Sequence, residues 1–369
     1  MPRLPDVSNW AITACAEAAL GAVRRPPRLV ALAALLAHHP RATLPEACGH
    51  GAMRQGASRF LAHDGIAPQD LLQSHTEAPY GRLAHVLVGL AVQETTAIAW
   101  TSHRATTGLG PLGPHACQGL LVPRTLALTP ARVPLGVLAP QVWARDPAAT
   151  GKQARRTQRP MAQQASQPWR SRLEAVRPAQ ASGPTTRCVR VGDREAAVDA
   201  LLAAARPAGV DRLLRASWHR WVPTPQRSGW ETLAAQPVVA QLPVPGPRRG
   251  PPPARAATLA RRLCLLPLRP PRHRPTAGVP EVGRWAVPGW EEVPPAAVEP
   301  IAGWRLTTVA VEPVPDALER VKGSVCRWGM AVWHRSVQSG GRSEARQRET
   351  AARVQRCLAL SSVMAGRLV

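Results

Sequence analysis

The chain has 369 residues, and its 47 Lys and Arg against 23 Asp and Glu give a formal charge of +24. Only Lys152 and Lys322 are lysines, so the positive charge is almost wholly guanidinium. No apolar run approaches the ~18–20 residues of a membrane span; the longest, residues 29–37, is flanked by Arg and His, and acid-rich and Gly-X-Y classes are excluded as well. No basic stretch followed by an apolar segment opens the chain, so a secretory signal is not expected. A hydrophobic fraction of 45% can bury a core, and the length suggests two or three domains of about 100–200 residues. Forty prolines are roughly twice the usual ~5%, and their clusters at 243–253 and 267–280 exclude long helices there. A charge of this size attracts polyanions, nucleic acid first. The competing reading is base composition: a chain rich in Arg, Ala, Pro, Gly and Trp and poor in Lys, Asn, Ile, Tyr and Phe has the bias of a G+C-rich coding region. The seven cysteines form no C-x-x-C pair and are odd in number, which argues against a disulfide framework or zinc knuckle and for reduced, buried thiols.

Residues 10–39 read as helical, with Leu29, Ala33 and Leu36 at helical spacing and an interruption at Pro26-Pro27. Thr43 with Glu46 suggests a capped helix start, and Arg54–Leu61 a second basic helix, so 1–82 is expected to be a helical domain. Residues 84–92 form an apolar run of strand length that ends at Gln93-Glu94-Thr95-Thr96, and strand-like runs follow at 119–122, 126–128 and 133–137. Residues 150–168 read as a polar loop or exposed helix, and 169–176 as helix. Cys188–Gly192 predicts a strand ending at Asp193, followed by a helix over 195–205 and a strand over 212–216; this is an α/β unit. From 217 to 310 the segments are short, Pro-punctuated and β-like, at 237–242, 263–266 and 305–309. Helical patterning returns over 314–335 and 343–369.

Two acids stand at predicted strand ends, Glu94 and Asp193. An acid at the carboxyl edge of a sheet can hold a divalent cation, and two such ions can drive phosphoryl transfer. A turn residue or a helix N-cap explains the same pattern.

The motif Asp193-Arg194-Glu195-Ala196-Ala197-Val198 resembles the D-R-E-A-D-I of bacterial cut-and-paste transposases, the DDE enzymes of the insertion-sequence-four family. Other pieces fall in that family's order. Residues 41–62, with Leu44–Gly49 and Ser58-Arg59-Phe60-Leu61, are similar to its N-terminal region, and Gln93-Glu94-Thr95-Thr96 to its Q-D-T-T. Gly108-Leu109-Gly110, Pro134-Leu135-Gly136, Trp143-Ala144-Arg145-Asp146 and Leu306-Thr307-Thr308 continue the series. Residues 326–369 resemble the terminal helices that carry a Y-x2-R-x3-E-x6-K signature. The resemblance implies an α/β fold with a ribonuclease H-like mixed sheet, an N-terminal helical domain and a β insertion before the terminal helices. In these terms 1–82 is the DNA-binding domain, 83–216 the first part of the catalytic core, 217–310 the β-rich insertion and 311–369 the terminal helices, with the dimerisation region missing.

It further implies metal-dependent nicking and strand transfer at transposon ends, with Mg²⁺ or Mn²⁺ held by three carboxylates. Glu94 and Asp193 are expected at the first two catalytic and metal positions. Two departures impair the site. Glu94 stands where the family has Asp, and its extra methylene shifts the oxygens by more than about 1 Å, enough to cost ~10²-fold in rate. The third acid position is Ala331, which has no oxygen to give, so metal binding is expected to be weakened. The signature's Arg is Arg327, a candidate phosphate contact, while Ser324 and Gln338 replace its Tyr and Lys. Arg24, Arg25, Arg28, Arg54 and Arg59 are the candidate contacts to duplex backbone; ordinary solvated helix surface is the alternative for each. Trp304 is a candidate base-stacking residue or a core tryptophan. The expectation is a degenerate, catalytically impaired transposase-like protein. Its partner is double-stranded DNA at transposon ends, without membrane, with a homodimer only on DNA, and with a cytoplasmic, nucleoid-associated location. A non-catalytic end-binding remnant that competes with an intact transposase, and a decayed reading frame, are the alternatives. Restoring Glu94→Asp and Ala331→Glu together is expected to revive nicking.

Overall fold

The computed structural model describes residues 7–49, 51–100, 105–112, 117–138, 142–146, 176–192, 210–216, 229–245, 255–268, 282–296, 298–311, 323, 326, 328–335, 337 and 349–368. In chain order the helices are α1 (Val7–Cys15), α2 (Arg25–His38), α3 (Leu44–Cys48), α4 (Gly51–Ala62), α5 (Gln73–Ala84), α6 (Arg177–Ser182), α7 (Gly229–Ala234), α8 (Trp328–Arg335) and α9 (Ala351–Leu368). The strands are β1 (Val88–Ala99), β2 (Gly110–Pro111), β3 (Gln118–Leu128), β4 (Pro134–Val137), β5 (Arg187–Gly192), β6 (Val210–Arg215), β7 (Ala240–Pro245), β8 (Ala256–Arg261), β9 (Cys264–Leu268), β10 (Val282–Glu291) and β11 (Ala302–Thr307). The chain divides into two compact units, Met1–Arg156 with Ala181–Thr186 and Trp328–Val369, and Thr157–Gln180 with Arg187–Arg327.

In the first unit α1 to α4 form within the region the sequence reads as helical, but residues 16–24 lie outside any helix and α5 was not expected. Pro26-Pro27 does not interrupt a helix but starts one: the prolines occupy the first positions of α2, where the missing N–H has no partner to lose. Leu29, Leu32, Ala33 and Leu36 then share one face and are fully buried, each leucine worth roughly 1.5–3 kcal/mol of apolar burial. The Thr43 cap forms as expected, with Thr43 N–H donating to Glu46 Oε2 at 2.7 Å and Glu46 N–H to Thr43 Oγ1 at 3.4 Å. Helix α3 then ends at Gly49, whose φ of +64° is disfavoured for side-chain-bearing residues. Helix α9 is buried on all sides over 356–365, its polar Arg356, Ser361 and Ser362 included. One side of it completes the core of α1–α4 through Leu360, Val363 and Met364, and it also contacts α8.

The sheet of this unit is antiparallel, with β3 between β1 and the short β2, and β4 pairing with the C-terminal end of β3. The predicted strand at 84–92 is corrected: residues to Ala84 close α5, and β1 runs 88–99. Gln93-Glu94-Thr95-Thr96 therefore lies within the strand and not after it. Its ten-pair ladder with β3 satisfies the backbone, and β-branched threonines suit a pleated surface. The predicted runs at 119–122 and 126–128 are likewise one strand, β3, that passes through Pro123. Gly136, with φ +129°, lets α5 press on β4: a Cβ there would lie 2.5 Å from Pro79 Cγ.

The second unit holds a mixed sheet in the order β5-β6-β11-β10-β8-β7, with β9 also pairing β10. Strands β5 and β6 are parallel and the remaining pairs antiparallel. The strand predicted up to Gly192 and its parallel partner both form; the helix predicted over 195–205 lies outside the described residues, as does 150–168. The short β segments of 217–310 are antiparallel strands, joined by β8 and β10, which sequence patterning did not single out. Mixed α/β structure with N-terminal helices is compatible with a ribonuclease H-like core. The seven cysteines form no disulfide, and five of them are buried.

Candidate functional site

The five arginines predicted to contact DNA fall into two groups. Arg24, Arg54 and Arg59 are exposed. Arg25 and Arg28 turn inward. Arg25 donates through Nη1 to the Leu20 carbonyl at 2.5 Å, and its Nη2 stands 2.8 Å from His63 Nε2. The Arg28 guanidinium lies over Gly56, where an added Cβ would fall 2.4 Å from Nη1, and it reaches Met53 Sδ at 3.9 Å. These two fasten α2 to the α4 side of the bundle, and their charge is only partly presented to solvent. The starts of α3 and α4 border a groove of about 630 Å³ lined by Leu44, Pro45, Gly51, Arg54, Gln55 and Ser58. Arg54 gives it a cation, and the side chains of Gln55 and Ser58 can donate to a phosphate.

A second cluster surrounds Glu94. Glu94 pairs across the sheet with Arg124 of β3, so both side chains stand on the same face. Helices α5 and α8 bring His75, and Trp333 and His334, to Arg124. Arg124 is fully buried, with its guanidinium carbon 4.5 Å from the centre of the Trp333 ring. Among the described residues none of its three side-chain nitrogens has a hydrogen-bond partner. Burial pushes its pKa down to about 9, which leaves it protonated at neutral pH. His334 Nδ1 lies 3.8 Å from Glu94 Oε2. Burial first, and then the nearby Arg124 charge, lower the His334 pKa to about 4. The imidazole is therefore neutral, and its contact with the carboxylate is not an ion pair. His75 is held down to about 4 by burial and by Arg82 and Arg124.

The remaining predicted residues are placed as follows. Asp193 and Arg327 lie outside the described residues. Ala331 lies on α8, the helix that supplies Trp333 and His334. Glu94 and the Ala331 helix therefore belong to one corner of the first unit, and the helix contacts β1. Trp304 is buried, with its ring stacked on Trp230 at 6.1 Å and 22°, a packing role within the second unit.

Residues 7–66 match the model of the family described as transposase DNA-binding. The match spans α1 to α4 and stops at Ile66, and it supports a transposase and a DNA partner for this chain. Among the described residues no helix is long and apolar enough to cross a membrane.

The described residues around Glu94 do not fit a divalent cation. Such a site gathers several carboxylate oxygens, whereas this corner offers one carboxylate, a neutral imidazole and a buried guanidinium. Among the described residues no three His, Cys, Asp or Glu side chains converge on one point. Sequence reasoning missed Arg124, Trp333 and His334. A signal was there for the first: Arg124 is the one charge inside the otherwise apolar stretch 119–128. Its partner could not be read, because the β1–β3 register is a tertiary fact.

Proposed function

We propose that this chain is a transposase-like DNA-binding protein of the insertion-sequence-four type that engages transposon-end duplex through its N-terminal helices and does not cut it. The carrying observation is the match of 7–66 to the transposase DNA-binding family, over a segment that presents Arg24 before α2 and Arg54 and Arg59 on α4 to solvent. Guanidinium groups on a helix surface neutralise phosphates and release counterions, so affinity falls steeply with salt. The groove beside Arg54 is suited to one backbone phosphate. In this reading 83–216 and 311–369 are the remnant of the catalytic core, 217–310 is the β-rich insertion, and Asp193 and Arg327 complete the remnant site. A protein that holds ends without nicking them competes with an intact copy, and pairing of two copies on DNA and nucleoid association belong to the same reading.

A gel-shift series tests it. The full chain is titrated on duplexes carrying the terminal repeats that flank its gene, and on scrambled duplexes, over increasing salt. Preference for the repeats, with affinity declining on a log–log plot at about 0.9 per phosphate contact, is the expected result. Binding that ignores sequence, or none, refutes the end-binding role, and nicking of the repeats with Mg²⁺ or Mn²⁺ refutes the non-cutting role.

A further inference from the structure

The corner around Glu94 holds a charge that the DNA-binding role does not use. Arg124 and Glu94 are directly paired residues on adjacent antiparallel strands, a relation that sets their Cβ atoms about 4.5–5.5 Å apart. Arg124 is fully buried, and the Trp333 ring lies against its guanidinium. An aromatic face attracts a desolvated cation but does not neutralise it. No carboxylate forms an ion pair with Arg124 among the described residues, and its nitrogens have no hydrogen-bond partner there. A buried cation left in this state is costly unless it serves as a countercharge for something near it. The acid opposite it in register is Glu94. Among the described residues the groups packed on that face are His75 from α5 and Trp333 and His334 from α8, none of which is charged at neutral pH.

We propose that the Arg124 guanidinium is the resident cation of this corner, taking the charge role of a divalent metal and keeping one out. The inference rests on reading the corner as the remnant of a transposase metal site. The charge balance carries it. A dication needs an excess of negative charge from its ligands. Among the described residues Glu94 supplies the one negative charge and Arg124 stands opposite it in register, while the helix that should bring a third acid brings Ala331. A fixed positive charge in a poorly solvated site repels a second cation more strongly than the same charge would in water. The substitutions at the acid positions and the guanidinium thus act in the same direction: the corner keeps a cation, but one that is covalently part of the chain and cannot polarise a phosphate oxygen as a metal does.

The test is metal binding by the full chain without DNA, so its result is independent of whether the protein recognises transposon ends. Free Mn²⁺ is followed by its paramagnetic resonance signal during titration, and Tb³⁺ by emission sensitised through tryptophan. The proteins are the parent chain, Arg124→Ser, Arg124→Gln, and each of these combined with Glu94→Gln, all checked for folding by circular dichroism. The parent is expected to show no Mn²⁺ binding that Glu94→Gln removes. Arg124→Ser is expected to bind Mn²⁺ at least roughly tenfold more tightly than the parent, and the gain should vanish in the double variant. If Arg124→Ser does not fold, Arg124→Gln, closer in length, is read the same way. Glu94-dependent Mn²⁺ binding by the parent overturns the proposal. So does a folded Arg124 variant that gains none.

Discussion

Arg356 is the sharpest point at which to perturb this protein, because it joins the last helix to the end of the DNA-binding segment. The side chain is almost fully buried on α9. Its Nε donates to the Ile66 carbonyl at 2.7 Å and its Nη1 to the Leu61 carbonyl at 3.0 Å, while Nη2 reaches Asp64 Oδ1 at 3.4 Å. Leu61 and Ile66 flank the turn that follows α4, and both are buried. Arg356→Met keeps much of the apolar stem and removes all three donors. Two charge-assisted bonds to carbonyls are lost, each worth about 1.5–3 kcal/mol, and the carbonyls are left poorly satisfied. The Asp64 contact adds little, since that carboxylate is 98% exposed and screened by water. The expected loss is about 3–5 kcal/mol, a large part of the ~5–15 kcal/mol that holds a typical domain together. Urea unfolding followed by circular dichroism measures it, and gel shift at a temperature where the parent is folded should show DNA binding reduced in step. Arg356→Lys, with one donor group, should recover part of the loss, and Asp64→Asn should change almost nothing. A loss below about 0.5 kcal/mol for Arg356→Met, the range of ordinary surface substitutions, refutes the claim that α9 completes the N-terminal bundle.

The other expectations concern charge, capping and the acidic corner. Arg24→Ala, Arg54→Ala and Arg59→Ala should each weaken DNA binding and flatten the salt dependence by about one unit of slope with little change in melting temperature. Arg25→Ala and Arg28→Ala should do the reverse and lower the melting temperature first, because these side chains fasten α2 to its neighbours. Thr43→Ala, which breaks the capping box of α3, should cost about 1 kcal/mol in urea unfolding. The pair Glu94→Asp with Ala331→Glu, expected from the sequence resemblance alone to revive nicking, should instead leave nicking of end duplexes with Mn²⁺ undetectable while Arg124 is present; nicking by that pair alone would show that the guanidinium does not block the corner. In the second unit, the Arg255 guanidinium, and then the Ile301 N–H, hold the buried Glu291 carboxyl below the ordinary carboxylate value. A lowered folded-state pKa contributes stability above the unfolded pKa and loses it as the pH falls through the folded value. Glu291→Gln should therefore flatten the decline of urea midpoints between neutral and acidic pH, and an unchanged decline would assign the acid sensitivity elsewhere.

Local signals determined much of what was legible in the chain. The capping pair Thr43 and Glu46, the leucine stripe of α2 and the strand up to Gly192 depend on neighbours within a few residues, and they form as expected. The order of short motifs, and the net charge of +24, pointed to a DNA partner without any coordinates. Boundaries and partners were another matter. Gln93-Glu94-Thr95-Thr96 reads as polar punctuation after an apolar run, yet it lies inside β1, because pairing with β3 satisfies a backbone that composition alone leaves ambiguous. Likewise, five arginines of one basic segment look alike in sequence, and only packing separates Arg25 and Arg28 from the three that face water. Arg124 opposite Glu94, and Arg356 beneath Leu61 and Ile66, are contacts across 30 and 290 or more residues of chain, set by strand register and by the seat of the last helix. Residue types and spacing state what each side chain can do. Which charge meets which acid is decided by the three-dimensional path of the backbone, which no local pattern encodes.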